Sequence, residues 1–406
     1  MKNLSFYIML GFCTFYGCAG KKEGNSENVV EAKSIVQPIY IQMADSELKR
    51  HPDPRLLDFR DKPKWEYSNG LVCSAMMKAW KESGEKRYYD YAKYYADSMI
   101  NSDGSIKTYK RTDFNIDRIN PGKFVFELWK HDSSRENYRK ALDTLRVQMK
   151  GHPRTPEGGF WHKKRYPYQM WLDGLYMGSP FLAQYAKEFN EPELFDDVAN
   201  QIYLIDKYAW DPEKEFYYHG WDESREQEWS NPETGLSPHC WGRAMGWFAM
   251  ALVDVLDFMP EDHPKRSDIL RVLNKMALSI KKYQDAETGV WWQIIDLGGK
   301  EGNYREASCS SMFTYCLFKS VDKGYLSDEY LSIAKKGYEG MLKLFIKQNA
   351  DGTISLTDIC GVAGLGGDPY RDASYEYYVN EIIRDNDPKG VGPFIMASIL
   401  YERLSK

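Results

Sequence analysis

The segment Glu287-Thr288-Gly289-Val290-Trp291-Trp292 is one of five copies of a motif that recurs along the 406-residue chain. Each copy has an acidic residue followed within a few positions by apolar or aromatic residues, usually with a glycine. The other copies begin at Asp103, Glu157, Glu213 and Asp351, so successive copies lie about 54 to 74 residues apart. That interval accommodates two helices, a turn and a short strand, and the motif therefore predicts a chain of repeated helical hairpins.

Between these markers, apolar and aromatic residues recur at helical spacing rather than in strict alternation. A hairpin cannot bury its apolar stripe alone, whereas six hairpins closed into a ring bury every stripe against a neighbour. The sequence therefore predicts an all-α (α/α)6 barrel of six helical hairpins joined by short aromatic β-hairpin loops. The alternative is an open solenoid of the tetratricopeptide kind, but that repeat has a period near 34 residues. The twelve predicted helices cover 28–50, 69–83, 85–101, 116–131, 133–150, 171–189, 191–209, 241–258, 264–285, 307–322, 327–347 and 391–404.

Composition agrees with one large domain, predicted over 32–406. The chain is 43% apolar and 28% charged, and no linker rich in proline, serine or glycine interrupts the repeats. A net charge of −5 argues against a nucleic-acid partner, because phosphates demand a basic face. Aromatic residues make up 15% of the chain. They are explained either as amphipathic surface cover or as faces on which sugar rings stack in a cleft.

The first 18 residues are predicted to be a signal peptide, because Lys2 is followed by an almost wholly apolar run from Leu4 to Tyr16. Gly17-Cys18 and the polar residues after it resemble a bacterial lipoprotein cleavage site, so Cys18 is predicted to be lipidated. Residues 19–31 would then form a polar tether, and the protein would be exported and held in the cell envelope through that lipid alone. Ordinary signal-peptide cleavage and secretion is the alternative.

Five cysteines remain beyond the signal peptide, and their odd number and wide scatter give no disulfide framework. No CxxC pair and no HExxH motif occurs, so neither a metal nor another cofactor is predicted. The chemistry is therefore expected to come from carboxylates, histidines and arginine.

Asp173 lies at the start of an apolar predicted helix, between Trp171 and Gly174. It is either a catalytic acid facing a space that large aromatics surround, or an acid that satisfies free backbone donors and the helix dipole. Asp117 occupies a similar place one repeat earlier, and it is either a second active-site acid or a partner of Arg118. Acids on neighbouring inner helices would be able to share one substrate.

Two further motifs are His219-Gly220-Trp221-Asp222 and Cys240-Trp241-Gly242-Arg243. Alone, His219 is more often a structural histidine and Arg243 an ion-pair partner. Together they suggest an anionic sugar, because a guanidinium group binds a carboxylate in two-point contact and Trp241 offers a stacking face.

The chain also resembles a known family. Gly-Gly-Phe-Trp-His-Lys at 158–163, Met-Trp-Leu-Asp-Gly-Leu-Tyr-Met at 170–177 and Trp-Gly-Arg-Ala-Met-Gly-Trp at 241–247 are similar to motifs of glycoside hydrolase family 105, the unsaturated rhamnogalacturonyl hydrolases. The likeness extends, in the same order, over nearly all of the chain after about residue 40. The resemblance implies an (α/α)6 barrel, Asp173 as catalytic acid/base and Asp117 as the second acid. It also implies that His162, Lys163, Trp171, His219, Trp241 and Arg243 line the pocket.

Enzymes of this family remove the 4-deoxy uronic acid, with its C4=C5 double bond, that polysaccharide lyases leave at the non-reducing end of an oligosaccharide. The resemblance thus implies hydration of that enol ether, most directly in fragments of rhamnogalacturonan, the pectic polysaccharide. The uronic acid is galacturonyl or glucuronyl, and the sequence makes no prediction of the adjoining sugar or of oligomeric state. Three alternatives stay open at this point: an inverting glycosidase, a polysaccharide lyase and a non-catalytic glycan-binding lipoprotein.

Overall fold

The computed structural model describes residues 37–405, and the helices within that range follow the predicted hairpin pattern. The predicted signal peptide, Cys18, the tether at 19–31 and the first residues of the predicted helix 28–50 lie outside the described residues. Thirteen helices occur in the described part of the chain. They are α1 (Ile39–Arg50), α2 (Tyr67–Ser83), α3 (Lys86–Met99), α4 (Gly122–His131), α5 (Glu136–Lys150), α6 (Leu172–Phe189), α7 (Glu193–Tyr208), α8 (Gly242–Val255), α9 (Arg266–Lys282), α10 (Ala307–Asp322), α11 (Glu329–Leu344), α12 (Tyr375–Val379) and α13 (Pro388–Leu404).

Twelve of these helices form two concentric rings, and the predicted (α/α)6 barrel is confirmed. The inner ring is α2, α4, α6, α8, α10 and α13, each packed against the next, and α13 closes the ring against α2. The outer ring is α3, α5, α7, α9, α11 and α1, of which the last packs mainly on α13. The first and last helices thus form the sixth hairpin. The described residues make up one compact unit.

The inner helices carry apolar residues all round because both of their faces are covered. Every residue of α8 is buried, and so is almost all of α10, whereas outer helices such as α9 bury a single stripe. This is the pattern expected for a helix enclosed by neighbours and for one facing solvent, respectively. No helix among residues 37–405 combines the length and apolar character needed to cross a bilayer.

The predicted helix at 116–131 is divided in the structure. Residues Ile116–Ile119 form a short 3-10 turn, and α4 begins only at Gly122, directly after Pro121. Proline has no backbone N–H to donate, which favours it immediately before or at the start of a helix. The short helix α12 was not predicted. The last helix begins three residues before its predicted start, at Pro388, where Asp387 accepts a hydrogen bond from the Lys389 backbone.

The strands are short, and they lie in the loops between helices. They are β1 (Gln169–Trp171), β2 (Trp210–Asp211), β3 (Phe216–Tyr217), β4 (Gly220–Asp222), β5 (Ile346–Gln348), β6 (Ile354–Leu356), β7 (Ile359–Cys360) and β8 (Ile383–Arg384), paired antiparallel as β1–β4, β2–β3, β5–β6 and β7–β8.

Each of the five copies of the acidic-aromatic motif follows an outer helix and turns the chain back towards the next inner helix. Two copies are the hairpins β2–β3 and β5–β6. Two more are closed by single bridges, at Ile100–Ile106 and Arg154–Phe160. The remaining copy is closed by a hydrogen bond of 3.0 Å from the Asp285 backbone N–H to the Val290 carbonyl. The predicted hairpin loops are therefore confirmed, and they lead to the N-terminal ends of the inner helices.

Candidate active site

A cleft of about 1030 Å³ opens where the inner helices begin, and its lining includes Tyr67, Asp117 and Lys389. Tyr67 starts α2 and Lys389 is the second residue of α13, so the N-terminal ends of inner helices face this space. The positive ends of helix dipoles and their free N–H groups favour negative charge there.

A ribbon of short backbone segments holds the predicted site residues together beside this cleft. The segments before α4, before α6 and before α8 are hydrogen-bonded to one another rather than to their own helices. The contacts are a bridge between Asn115 and Lys163, the His162 N–H to the Gln169 carbonyl at 2.7 Å, the register pair Trp171–Gly220, and the Leu172 N–H to the His219 carbonyl at 3.0 Å. Residues from three repeats therefore share one small framework.

Asp117 is paired with a cation. Its Oδ2 lies 2.6 Å from Nζ of Lys163, and its Oδ1 lies 3.4 Å from Nε2 of His162. Arg118, the alternative partner, instead forms an ion pair with Glu66 at 3.2 Å. The Asp117 side chain is 10% exposed, and both it and Lys163 line the cleft. The structure thus brings an acid, a cation and an imidazole together at the predicted place.

Asp173 occupies the first turn of α6, yet its side chain forms no hydrogen bond to a backbone N–H of that helix. Its Oδ2 lies 3.3 Å from Nε2 of His219, and the side chain is 14% exposed. The carboxyl is turned towards the interior cluster, and the helix-capping role considered from the sequence is not the one it has here. His219 is fully buried, and its Nδ1 lies 2.7 Å from the Tyr378 hydroxyl.

Trp171 separates the two acid centres with a stack of rings. The His162 ring lies 4.2 Å from it at 14°, and the Tyr166 ring lies 4.9 Å away at 25°. His162 can approach α6 because residue 174 is glycine, where a Cβ would come within 3.2 Å of Nδ1. Burial, and then the charge of Lys163, hold the pKa of His162 well below its ordinary value, so its ring is neutral at neutral pH.

Trp241 packs against His219 and is almost completely shielded from solvent. It is 1% exposed, its ring centroid lies 4.9 Å from that of His219, and its Nε1 donates to Gln293 Oε1 at 3.1 Å. Trp241, which was predicted to offer a stacking face, and Trp171, which was predicted to line the pocket, are therefore largely covered by protein side chains. Their direct contact with a substrate stays a prediction.

Arg243 is 1% exposed, and the protein itself takes up most of its donors. Its Nε donates to the Ser308 hydroxyl at 2.8 Å and its Nη1 to the Gly361 carbonyl at 3.2 Å. Its Nη2 donates to the Cys360 carbonyl and lies 3.6 Å from Glu306 Oε1. The geometry fits the ion-pair role that the sequence left open, because the guanidinium fastens the 360–361 segment to the starts of α8 and α10. A contact with a substrate carboxylate stays a prediction.

Two residues of this region were missed from the sequence, Tyr378 and Arg371. Tyr378 contacts His219 although 159 residues separate them, and Arg371 donates to the Tyr166 hydroxyl at 2.7 Å, with its guanidinium 5.7 Å from the Trp171 ring centroid. The only sequence signal was the aromatic run at 375–378 after a glycine-rich stretch. No spacing rule connects that run to a histidine two repeats earlier.

The cleft lining is basic although the whole chain carries a net charge of −5. Nine cationic side chains line it against five acidic ones, an excess of four positive charges. The cations are Arg60, Lys64, Lys110, Arg118, Lys163, Lys164, Arg165, Arg384 and Lys389, and the acids are Asp58, Asp61, Glu66, Asp113 and Asp117. A surface of this kind favours an anionic ligand.

Comparison with known proteins gives consistent matches. Residues 39–405 match the family model described as Glycosyl Hydrolase Family 88. A glycoside hydrolase of family 105 from C. acetobutylicum ATCC 824 has a solved structure that is 44% identical, with a TM-score of 0.87 over 90% of this chain and 100% of that one. Protein Atu3128 of Agrobacterium fabrum is 38% identical over 227 residues, which are 54% of this chain and 96% of that protein.

A further relative has a named activity. The unsaturated rhamnogalacturonyl hydrolase YesR of Bacillus subtilis (strain 168) is 24% identical over 261 residues, which are 63% of this chain and 71% of that protein. The family model covers nearly all of the described residues, and the family 105 structure is matched over its full length. This chain is therefore a glycosidase that belongs to glycoside hydrolase family 105, among the proteins that the family 88 model recognises.

Proposed function

We propose that this enzyme removes a 4-deoxy uronic acid with a C4=C5 double bond from the non-reducing end of oligosaccharides produced by polysaccharide lyases. The observation that carries the proposal is the placement of Asp173, whose carboxyl faces His219. The Trp171 ring lies between this pair and the Asp117–Lys163 pair that lines the basic cleft. The family membership and the activity named for the Bacillus subtilis relative support the same reaction.

The reaction is an acid-catalysed hydration. Protonated Asp173 donates its proton to C4, and the π electrons of the double bond form the new C4–H bond, which leaves oxocarbenium character at C5. The Asp173 carboxylate then takes a proton from a water whose oxygen bonds to C5. The resulting hemiketal opens to a C5 ketone, and the hemiacetal formed at C1 releases the remaining oligosaccharide as an alcohol. One carboxyl group serves both steps, so the carboxylate-separation rule for ordinary glycosidases does not apply.

His219 and the Asp117 cluster assist in different ways. The His219 Nε2 lies near enough to orient the Asp173 carboxyl, and its own ring is held by Tyr378. Asp117, held by Lys163, provides a second carboxylate at the cleft wall, able to accept hydrogen bonds from substrate hydroxyls. The excess of cations around it complements a substrate that carries a uronate carboxylate.

Rhamnogalacturonan fragments are the substrate class that we propose, in line with the activity named for the Bacillus subtilis relative. We also propose that the protein is exported and held in the cell envelope by a lipid on Cys18. Detergent-phase partitioning of the full chain and of a Cys18→Ala variant tests this second point, since an unanchored wild-type protein would contradict it.

The test of the reaction follows the loss of the conjugated ultraviolet absorbance with lyase-made oligosaccharides from several polysaccharides, run in parallel with their saturated counterparts. In heavy water, the released uronic acid should carry deuterium at C4. Hydrolysis of the saturated compounds, with no label at C4, would instead indicate displacement at the anomeric carbon by an inverting glycosidase. The oligosaccharide that is consumed fastest identifies the polysaccharide from which the natural substrate is derived.

A further inference from the structure

A second cavity, of about 460 Å³, lies inside the barrel at the end opposite the cleft. All six inner helices contribute to its wall, mostly through their C-terminal halves, from Lys78 on α2 to Ile399 on α13. None of the residues of the Asp117 and Asp173 clusters lines it. The reaction proposed above therefore gives this cavity no role.

Three ammonium groups converge on this space. Lys319 is satisfied, because its Nζ lies 2.6 Å from Asp254 Oδ1 and 2.5 Å from Asp257 Oδ2. Among residues 37–405, Lys123 donates to the Tyr176 carbonyl alone, at 3.2 Å. Lys78 has neither a hydrogen bond nor an ion pair with any residue that the structure describes, and its Nζ lies 6.0 Å from the centroid of the Tyr315 ring.

The other charges on the wall are already matched. Lys81 pairs with Glu127, and Lys323 lies 3.9 Å from Asp322. This leaves the Asp254 and Asp257 carboxylates shared among the three central lysines. Burial, together with repulsion from the neighbouring lysines, lowers the pKa of Lys78 and lowers that of Lys123 further. Three ammonium groups thus share two carboxylates, which leaves an excess of one positive charge on this wall.

Helix dipoles do not explain the positions of Lys78 and Lys123. A cation is stabilised in the last turn of a helix, and Lys319 on α10 is close to that position. Lys123, however, is the second residue of α4, where the dipole disfavours a positive charge. Lys78 lies five residues before the end of α2, beyond the reach of its C-terminal carbonyls. Lys78 and Lys123 are both half-buried, and partial desolvation of an ammonium that lacks a carboxylate partner costs free energy that an apolar residue of similar length would not.

We propose that this cavity binds a small oxyanion, held between the ammonium groups of Lys78, Lys123 and Lys319. The volume admits a phosphate-sized or citrate-sized ion. The Tyr176 and Tyr315 rings close the sides of the space beside these ammonium groups. Residues of all six inner helices form the wall of the cavity. An ion bound there contacts side chains from several helices of the closed ring, and it stabilises the folded state by mass action.

The test measures the melting temperature of the full chain against inorganic phosphate and, separately, citrate, with sodium chloride at matched ionic strength as the reference. We expect a saturable rise with at least one of the two anions, and the preferred anion tells phosphate from carboxylate chemistry. The variants Lys78→Met and Lys123→Met should each weaken the response, and together they should abolish it. Lys343→Met, an exposed lysine on α11, is the matched control and should respond like the wild type.

The basic cleft could also attract these anions, so Lys163→Met separates the two sites. The rise should survive in Lys163→Met and disappear in the Lys78→Met Lys123→Met variant, whose hydrolase activity should stay normal. The reverse pattern, or no rise above the sodium chloride reference, would overturn the proposal. Without added anion, Lys78→Met should melt at or above the wild-type temperature because no partner is lost. A clearly lower melting temperature would show that Lys78 is a structural residue, and would also overturn it.

Discussion

His219 links Asp173 to Tyr378: its Nε2 lies 3.3 Å from the Asp173 carboxyl and its Nδ1 lies 2.7 Å from the Tyr378 hydroxyl. When the phenol donates to Nδ1, the N–H of the ring is on Nε2 and faces the carboxyl. The orientation of the acid therefore depends on a tyrosine from a different repeat. Burial also raises the pKa of Tyr378 well above its ordinary value, which keeps its hydroxyl protonated.

The first prediction concerns the acid itself. Asp173→Asn preserves shape but can neither give nor take the proton, so turnover of unsaturated oligosaccharides should fall by about 10² or more with an unchanged melting temperature. Ultraviolet absorbance measures the rate. Asp90→Asn, which removes an exposed carboxylate on α3, should leave the rate unaltered. Near-normal turnover in Asp173→Asn would exclude the proposed mechanism.

The second prediction concerns Tyr378 as a positioning residue. Tyr378→Phe removes one hydrogen bond to the His219 ring, and kcat should fall by roughly tenfold, with little change in KM and an altered pH profile of kcat. Tyr377→Phe is the control, because the Tyr377 hydroxyl accepts from the Gly364 N–H at 3.0 Å instead. Equal effects of the two variants would count against a specific role for Tyr378.

The third prediction concerns the pair Asp117 and Lys163, whose charged atoms lie 2.6 Å apart. Asp117→Asn and Lys163→Met should each lower kcat/KM, and the double variant should lose less than the sum of the two. We expect a coupling free energy on the order of 1 kcal/mol. Strictly additive losses in this double-mutant cycle would mean that the two residues act independently on the substrate.

The fourth prediction concerns Arg243, whose removal takes the counter-charge from buried Glu306 and a hydrogen-bond donor from two backbone carbonyls. Arg243→Ala should lower the free energy of unfolding by about 3 kcal/mol or more, measured by urea denaturation. Full stability combined with a raised KM would instead assign the guanidinium to substrate binding, as the family resemblance implies.

The fifth prediction concerns the pH dependence of stability at His152. Its Nε2 lies 2.7 Å from the Trp161 carbonyl, and burial lowers its pKa to about 4. Below the unfolded value near 6.5, the unfolded chain binds a proton that the folded chain does not, so stability falls as the pH falls. Between pH 7 and pH 5, His152→Gln should lose about 2 kcal/mol less than the wild type in urea unfolding. Identical losses would show that His152 does not contribute.

The barrel was predictable because its evidence is local. Helical spacing of apolar residues and the recurring turn motif depend only on neighbours along the chain, and the helix from Ala307 to Asp322 was predicted at its observed bounds. The departure at 116–131 is local too, since Pro121 separates a 3-10 turn from α4. The acids Asp117 and Asp173 were predicted as candidates from their positions before helices and from the family resemblance, but their partners His219 and Lys163 were not predicted as such.

The sequence by itself determined the ring of six hairpins and the family, because period, turn residues and long motifs are carried by contiguous residues, and it predicted the two acids. Only the tertiary structure decided that Arg243 binds Glu306 and backbone carbonyls, and that Tyr378 holds His219. It also brought Lys78, Lys123 and Lys319 around one cavity. Each of these relationships joins different repeats, and closing the barrel is what brings residues so distant along the chain within hydrogen-bonding reach.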